Sequence, residues 1–418
     1  MSGYLVRRIF QSLVFVILST LISYTVVIYI AGGPASAYST HSSQMAKLAE
    51  QFKNDPNVSN ASTLISAIEA EVIQTKEILE DYYEVDKPWP LNYLAWLFDP
   101  TETTEVNNDR ERVPKGIDIS IGDWHLRGSG VLTGDFGRTG GWADRRTGHI
   151  TRGPTVTSEI GKSWGNSVLV VGLALLFSVL ISIPLGIIVS ARPGSPVDRV
   201  VTVTSSLALS LPIYGLAYVL ITVLAIIPYY LRFNLGWDWL PHLPAGGTYT
   251  TNPVSQENNP FSHLYHAILP AMTLAIPQIA IISKYVRTSM LEVLGLDYIR
   301  TAWAKGLPAW RVLGKHAFRN ALLPTITVIG LALPAIASGS IVVEYAFAYQ
   351  GLGYLTFRAM GGCIPTPDMM CSGFRIDHAL LMALLVLLVA VVALANMLAD
   401  IMYMVADPRV EYGGQKAR

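Results

Sequence analysis

The stretch that decides the fold is Ser167–Val189, SVLVVGLALLFSVLISIPLGIIV, which carries no charged side chain. A helix rises about 1.5 Å per residue, and a bilayer core asks for roughly 20 apolar residues, so this run is long enough to cross. With no water inside the lipid to satisfy backbone N–H and C=O groups, a helix is the only conformation open to an isolated run of this kind. Five further charge-free runs repeat the pattern: Ile9–Ile30, Val200–Leu231, Leu264–Ser283, Asn320–Val343 and Ala379–Ala399. Val200–Leu231 is long for one span and contains Pro212 and Pro228, where a helix kinks or breaks. The reading is an all-α polytopic membrane protein with six transmembrane helices.

Composition agrees. Of 418 residues, 51% are hydrophobic and only 14% charged, below the quarter usual for a soluble domain. Thirty basic residues balance thirty acidic ones, so no positive excess is available for phosphate backbones and nucleic acid is excluded as a partner class. Two cysteines are too few for a disulfide scaffold or a Cys-rich metal centre.

Orientation follows from lysine and arginine in the short connections. One side holds Arg7 and Arg8, Arg192 and Arg199, then Lys284, Arg287, Arg300, Lys305, Arg311, Lys315 and Arg319, and finally Arg409, Lys416 and Arg418. The other holds Arg232, Arg358 and Arg375. The first side is expected to be cytoplasmic, with both termini inside a cell (inner or cytoplasmic) membrane. Residues 32–163 then form a long extracytoplasmic loop whose charge does not bear on topology. Within it Gln44–Tyr83 is expected to hold one or two amphipathic helices broken near Asp55-Pro56, with Leu64, Ile65, Ile68, Val72, Ile73 and Ile78 at helical spacing. Asp99–Gly130 reads as a polar, irregular surface excursion. Arg7-Arg8 and Ala35-Ser36-Ala37 also suit a cleaved signal, but the apolar run exceeds a signal core, which favours an uncleaved first helix. The organisation is thus 1–31, terminus and first span; 32–163, outer loop; 164–407, a five-span core containing the inside segment 284–319; and 408–418, a tail.

The segment Asp297-Tyr298-Ile299-Arg300-Thr301-Ala302-Trp303-Ala304-Lys305-Gly306-Leu307, continuing to Arg319-Asn320-Ala321-Leu322-Leu323-Pro324, resembles the cytoplasmic EAA loop of ABC importer permeases. The wording is similar to the B-type subunit of the dipeptide/oligopeptide family. Tyr4–Arg8, Leu132–Gly137, Ile183–Gly186, Leu269-Pro270-Ala271 with Ile276-Pro277, Gln350–Gly353 and Ala399–Val410 agree in order and spacing. Two features depart from the family pattern: Arg300 and Thr301 stand where the naming glutamate is expected, with Trp303 at a normally small site, and the outer loop is enlarged over roughly 39–80 and 100–130.

The resemblance implies a type I importer permease fold, and a subunit that transports rather than catalyses. It implies a second, similar permease, two ABC ATPases that bind ATP and Mg²⁺, and an extracytoplasmic substrate-binding protein. No cofactor is expected in this chain. Asp297, Tyr298, Arg300, Thr301, Ala302, Lys305, Gly306 and Leu307 would form the ATPase-coupling loop, with Tyr298, Ala302 and Leu307 as apolar knobs amid charge. Gly306 and Pro308 predict two short helices meeting at a bend. Read from charge alone, the same segment is an ordinary basic inside loop. Family members carry di- and oligopeptides, nickel, glutathione or oligosaccharides, and peptides are the expected cargo; a stand-alone secondary carrier is the competing class.

Small and helix-breaking residues are expected along the pathway: Ser205, Ser206, Ser210 and Pro212 in the third span, and Pro334, Ser338, Gly339 and Ser340 in the fifth, with helix–helix packing as the competing role. No ionisable residue falls mid-run, which argues against an ion-driven carrier; Glu344 and Asp400, at span ends, are expected at the interface or between subunits. Gly161-Lys162-Ser163 lacks the first glycine of a phosphate loop, since Val156 holds that position. An intramembrane serine protease using Ser338 or Ser340 is a poor alternative, since the single histidine in the six runs, His266, stands at the end of its run. Cys363 and Cys371, in one outside loop, suit a loop-closing disulfide or two free thiols. No HExxH or CxxC pattern marks a metal site.

Overall fold

The computed structural model describes residues 2–26, scattered helical positions between 46 and 93, residues 117–121, 124–128, 142–143 and 150–151, then 155–237, 239–248, 260–360 and 378–406. Helices dominate: α1 (Ser2–Thr25), α2 (Val156–Ala191), α3 (Pro196–Ser210), α4 (Ile213–Leu235), α5 (Pro260–Leu294), α6 (Asp297–Ala304), α7 (Phe318–Ala346), α8 (Leu352–Ala359) and α9 (His378–Ala406). Among the described residues five helices are long and apolar enough to cross a membrane: α2, α4, α5, α7 and α9, over Val156–Ala191, Ile213–Leu235, Phe261–Leu294, Pro324–Ala346 and Leu380–Ile401. The apolar part of α1, Ile9–Thr25, is shorter, and residues 27–30 of the expected first span lie outside the described residues.

The expected third span is corrected. Val200–Leu231 is not one helix but two, α3 and α4, because Leu211 and Pro212 are extended (ψ 131° and 143°). Proline lacks the N–H that would continue the ladder and disfavours helical backbone in the residue before it, so the break falls there. Pro228 causes no break: it follows a π-helical turn, Thr222–Ile226, and starts a helical segment. The Leu224 carbonyl in that turn accepts a bond from the Leu243 N–H at 3.0 Å, so the chain beyond α4 returns to the helix's flank.

The chain divides into two compact units: residues 1–16, 163–357 and 388–418, and residues 17–162 with 358–387. The first has one apolar core in which Val170 and Ala174 of α2, Ala217 and Ile221 of α4, Leu269, Leu274, Ile282 and Met290 of α5, and Ile336 and Val343 of α7 are buried. Full burial of one such aliphatic side chain contributes about 1.5–3 kcal/mol in water; within lipid, close packing takes over that role. Outward-facing Leu180 and Ile188 of α2, 60% and 59% exposed, suit a hydrocarbon surrounding.

In the second unit the phenol of Tyr93, 3% exposed, pairs with the Thr20 hydroxyl at 2.7 Å and meets Tyr24 edge-on. Two antiparallel ladders lie here: β1 (Ile117–Ile121) with β2 (Trp124–Gly128), and β3 (Trp142–Ala143) with β4 (Ile150–Thr151). The first corrects the reading of Asp99–Gly130 as wholly irregular. Ile117, Ile119 and Ile121 alternate, and Ile121 pairs with Trp124 across the two residues Gly122-Asp123, a hairpin signal. Ala46, Lys47, Ile65, Ser66, Ile68 and Ile73 are helical, in line with helix in Gln44–Tyr83; the expected break at Asp55-Pro56 and the pair Cys363 and Cys371 lie outside the described residues.

Candidate functional site: an elbow, a hinge and a buried knot

Between α5 and α7 the chain makes the bend that Gly306 and Pro308 predict. Helix α6 ends in a Schellman turn: the Gly306 N–H donates to Trp303 O at 2.9 Å, and the Leu307 N–H to Ala302 O at 3.4 Å. Gly306 adopts φ +71°, a left-handed conformation that costs other residues. Pro308 then caps the turn Ala309–Arg311, which leads through a π-helical segment, Val312–Ala317, into α7.

The expected knobs divide. Ile299 (0% exposed) and Ala302 (7%) face the chain's own core, with Leu307 packed against it, so Ala302 and Leu307 anchor the elbow rather than project from it. Helical spacing explains the split, because 299 and 302 share a face. Tyr298, Arg300, Thr301, Trp303, Lys305 and Trp310 point outward with Asp297, and Trp310 is 70% exposed. Arg300 lies 3.5 Å from Asp297, Arg311 stacks over Trp310 at 5.1 Å, and Asn320 Nδ2 donates to Tyr298 Oη at 2.5 Å. The presented surface is aromatic and cationic, on a frame that two long helices hold.

Near the elbow an ion pair fastens α3 to α5. Arg287 donates to Asp198 from Nε at 2.7 Å and from the guanidinium Nη2 at 2.8 Å. The Gly194 N–H also donates to Asp198 at 2.8 Å, while Ser195 caps α3 by accepting from the Asp198 N–H. The Arg287 bonds, with help from Gly194, hold the Asp198 carboxyl down at about 2. Neither residue stands out in the sequence as more than a loop charge.

The expected pathway residues differ in their exposure and in their hydrogen bonds. Ser206 is exposed and accepts from Lys284 Nζ at 3.3 Å; Ser210 and Ser338 are exposed and return their hydroxyls to Leu207 O and Ala335 O. Ser205 and Ser340 are buried. Pro212 sits at the α3–α4 break and Pro334 is half-buried within α7. A Cβ on Gly339 would stand 3.2 Å from Ile213 Cδ1 and from Leu274 Cδ2, so this glycine lets α7 approach the start of α4 and the middle of α5. Packing is what the geometry shows at that position.

Glu344 corrects the sequence reading. It is not a surface group available to another subunit, being 0% exposed. One carboxyl oxygen accepts from Ser167 Oγ at 2.7 Å; the other accepts from the Gly353 and Tyr354 N–H groups at 2.7 and 3.3 Å, capping α8. The Leu352 N–H closes on Ser167 Oγ at 2.7 Å. Tyr349, also 0% exposed, is pushed up to about 12 by burial and by the neighbouring Glu344. The usable signal was Glu344 followed by the pair Gly351 and Gly353.

Gly161, Lys162 and Ser163 lie inside helix α2, with Lys162 paired to Glu159 at 2.8 Å, a backbone unlike a phosphate loop. Among the described residues no three His, Cys, Asp or Glu side chains group as metal ligands.

Comparison with known proteins converges on one family. Residues 182–412 match the family described as binding-protein-dependent transport system inner membrane component. The chain is 31% identical over 412 residues to the oligopeptide transport system permease protein AppB of Bacillus subtilis (strain 168), covering 99% of this chain and 100% of that protein. It is 30% identical over 324 residues to the probable peptide ABC transporter permease protein y4tP of Sinorhizobium fredii, covering 77% of this chain and 90% of that protein. It is 31% identical over 257 residues to the dipeptide transport system permease protein DppB of Escherichia coli (strain K12), covering 57% and 68%. With its apolar spans, its bent elbow and a match over more than half its length, the chain belongs to the inner membrane components of binding-protein-dependent transport systems.

Proposed function

We propose that the chain is the membrane-spanning permease subunit of an ATP-driven ABC importer of peptides, and that it forms half of the translocation pathway. The observation that carries this reading is the match to AppB along 99% of the chain. The elbow supports it: a short helix, fixed by Ile299 and Ala302 to the core and presenting Tyr298, Trp303, Lys305 and Trp310, suits a groove on a cytosolic ATPase. In this reading Asp297, Tyr298, Arg300, Thr301 and Lys305 meet the ATPase, while Ala302, Gly306 and Leu307 hold the bend.

The partners are two ATPases that bind ATP and Mg²⁺, a similar second permease in a heterodimer, and an extracytoplasmic binding protein that selects the cargo. Both termini and the elbow lie in the cytoplasm, as the distribution of lysine and arginine favours. Closing of the ATPases moves two such elbows, and the attached spans rock between inward and outward access. The α3–α4 break at Pro212, beside Gly339 of α7, supplies a hinge next to the proposed pathway.

The test is co-expression with the proposed second permease, ATPases and binding protein, purification of the complex and reconstitution in liposomes with trialanine as probe. ATP-dependent trialanine accumulation is expected. Replacing both Trp303 and Trp310 with alanine is expected to release the ATPases from the purified complex. Uptake by this chain alone, driven by an ion gradient, would refute the proposal.

A further inference from the structure

Opposite the elbow, at the far end of α7, the chain ties a knot that the transport reading leaves unexplained. Glu344 binds Ser167 of α2 and the first turn of α8. Asn166 Nδ2 donates to Gln350 O at 2.7 Å, joining α2 to the same turn a second time. From the segment beyond α4, the Gly247 N–H donates to Phe347 O at 2.8 Å, and Thr248 Oγ1 accepts from the Gln350 N–H at 2.9 Å. There is no slack for another atom. A Cβ on Gly351 would fall 2.3 Å from Glu344 and 2.4 Å from Ser167, and one on Gly353 would fall 2.5 Å from Ile341 Cα. Ala348 holds φ 47°, a strained conformation for a residue with a Cβ that persists where surroundings over-determine the backbone.

One fully buried carboxyl thus joins α2 to the first turn of α8, and the segment beyond α4 is bonded to the backbone between α7 and α8. The contrast with α3 is plain. That helix joins α4 through two extended residues, and Pro212 makes no side-chain cap. Its described polar ties to α5 are Asp198–Arg287 and Ser206–Lys284.

We infer that Glu344 is a positioning residue for transport: it makes the far ends of α2 and α7, with the first turn of α8, one rigid body, so that α3 moves against this body when the pathway opens. The inference rests on the permease reading above. Rigid bodies turning about a short hinge are an ordinary way for a packed protein to alternate between states. A buried carboxyl that accepts from three donors suits the fixed side of such a boundary, because any displacement there would leave polar groups unpaired.

The experiment uses the reconstituted complex with spin labels at Val168→Cys and Gln350→Cys, two exposed side chains that take no part in the knot's hydrogen bonds. The 168–350 distance is expected to stay within about 1 Å between the nucleotide-free and the ATP-vanadate-trapped complex, while a Val203→Cys to Gln350→Cys pair shifts by about 3 Å or more. In parallel, trialanine taken up per ATP hydrolysed is measured on assembled complex. Glu344→Ala is expected to lower that ratio about tenfold, and Glu344→Gln, which keeps an acceptor for α8, to restore most of it. A purely structural role would reduce the amount of complex and leave the ratio alone. A 168–350 change of about 3 Å, an unmoving 203–350 pair, or normal coupling in Glu344→Ala would each overturn the inference. Failure of the permease reading is distinct: the wild-type complex would then show no ATP-dependent uptake.

Discussion

Arg287 and Asp198 meet through two near-parallel hydrogen bonds, 2.7 and 2.8 Å long, that join the start of α3 to the elbow end of α5. Planar bidentate pairing of this kind fixes direction as well as distance, which a lysine in place of Arg287 cannot reproduce. Asp198→Asn is expected to loosen α3 and lower the apparent melting temperature of the complex by about 2–4 °C, measured by fluorescence in detergent. Arg287→Lys should recover only part of the loss. A melting curve unchanged in both variants would show that the pair contributes nothing.

The same pair sets a pH dependence. The folded-state value for Asp198, about 2, lies below its ordinary 3.8. A depressed carboxyl contributes stability that is complete above the unfolded value and is lost as pH falls through the folded one. Between pH 4 and pH 2 the wild type is therefore expected to lose stability faster than Asp198→Asn, with the two curves running parallel above pH 5. Denaturation profiles across that range check the sign.

At the elbow, Gly306→Val places a β-branched residue at φ +71°, at a cost of about 1–3 kcal/mol. The Schellman turn should open and the direction of α6 change. Retained ATPase activity with trialanine uptake reduced about tenfold is the expected result in liposomes. Coupled transport at the wild-type level would remove the elbow from the transmission.

The knot ranks two conservative changes. In Gly351→Ala the new methyl meets the Glu344 carboxyl and the Ser167 hydroxyl; in Gly353→Ala it meets the backbone of Ile341. Side chains yield more readily than main chain, so Gly353→Ala should be the more damaging, both within an overpacking range of about 1–3 kcal/mol or somewhat above. Yield of folded protein by size-exclusion chromatography gives the order.

Much of the architecture was legible because lipid enforces a simple rule on the chain. Charge-free runs located α2, α5, α7 and α9, and Gly306 with Pro308 located the elbow, since each acts through backbone constraints local to a few residues. Pro212 and Pro228 stand as equal candidates for a kink or a break, because sequence does not say after which of them the helix resumes in line. Apolar character alone groups Tyr298, Ala302 and Leu307 as knobs; which way each points depends on packing against the core. The role of Glu344 was hidden for the same reason. Its partner Ser167 lies 177 residues away, and a lone acid at a helix end has many commoner uses. The hairpin at Ile117–Gly128 carries a visible alternation, but the polarity of the surrounding residues outweighs it.

Ile299 and Ala302 lie in the same packed core as Met290 of α5 and Ala321 of α7. An interior packed as densely as an organic crystal is nearly incompressible over such distances. In the proposed importer the bend would serve as a rocker seated in its own bearing: torque applied to its aromatic outer surface would reach two long helices together, with little slack in which to dissipate.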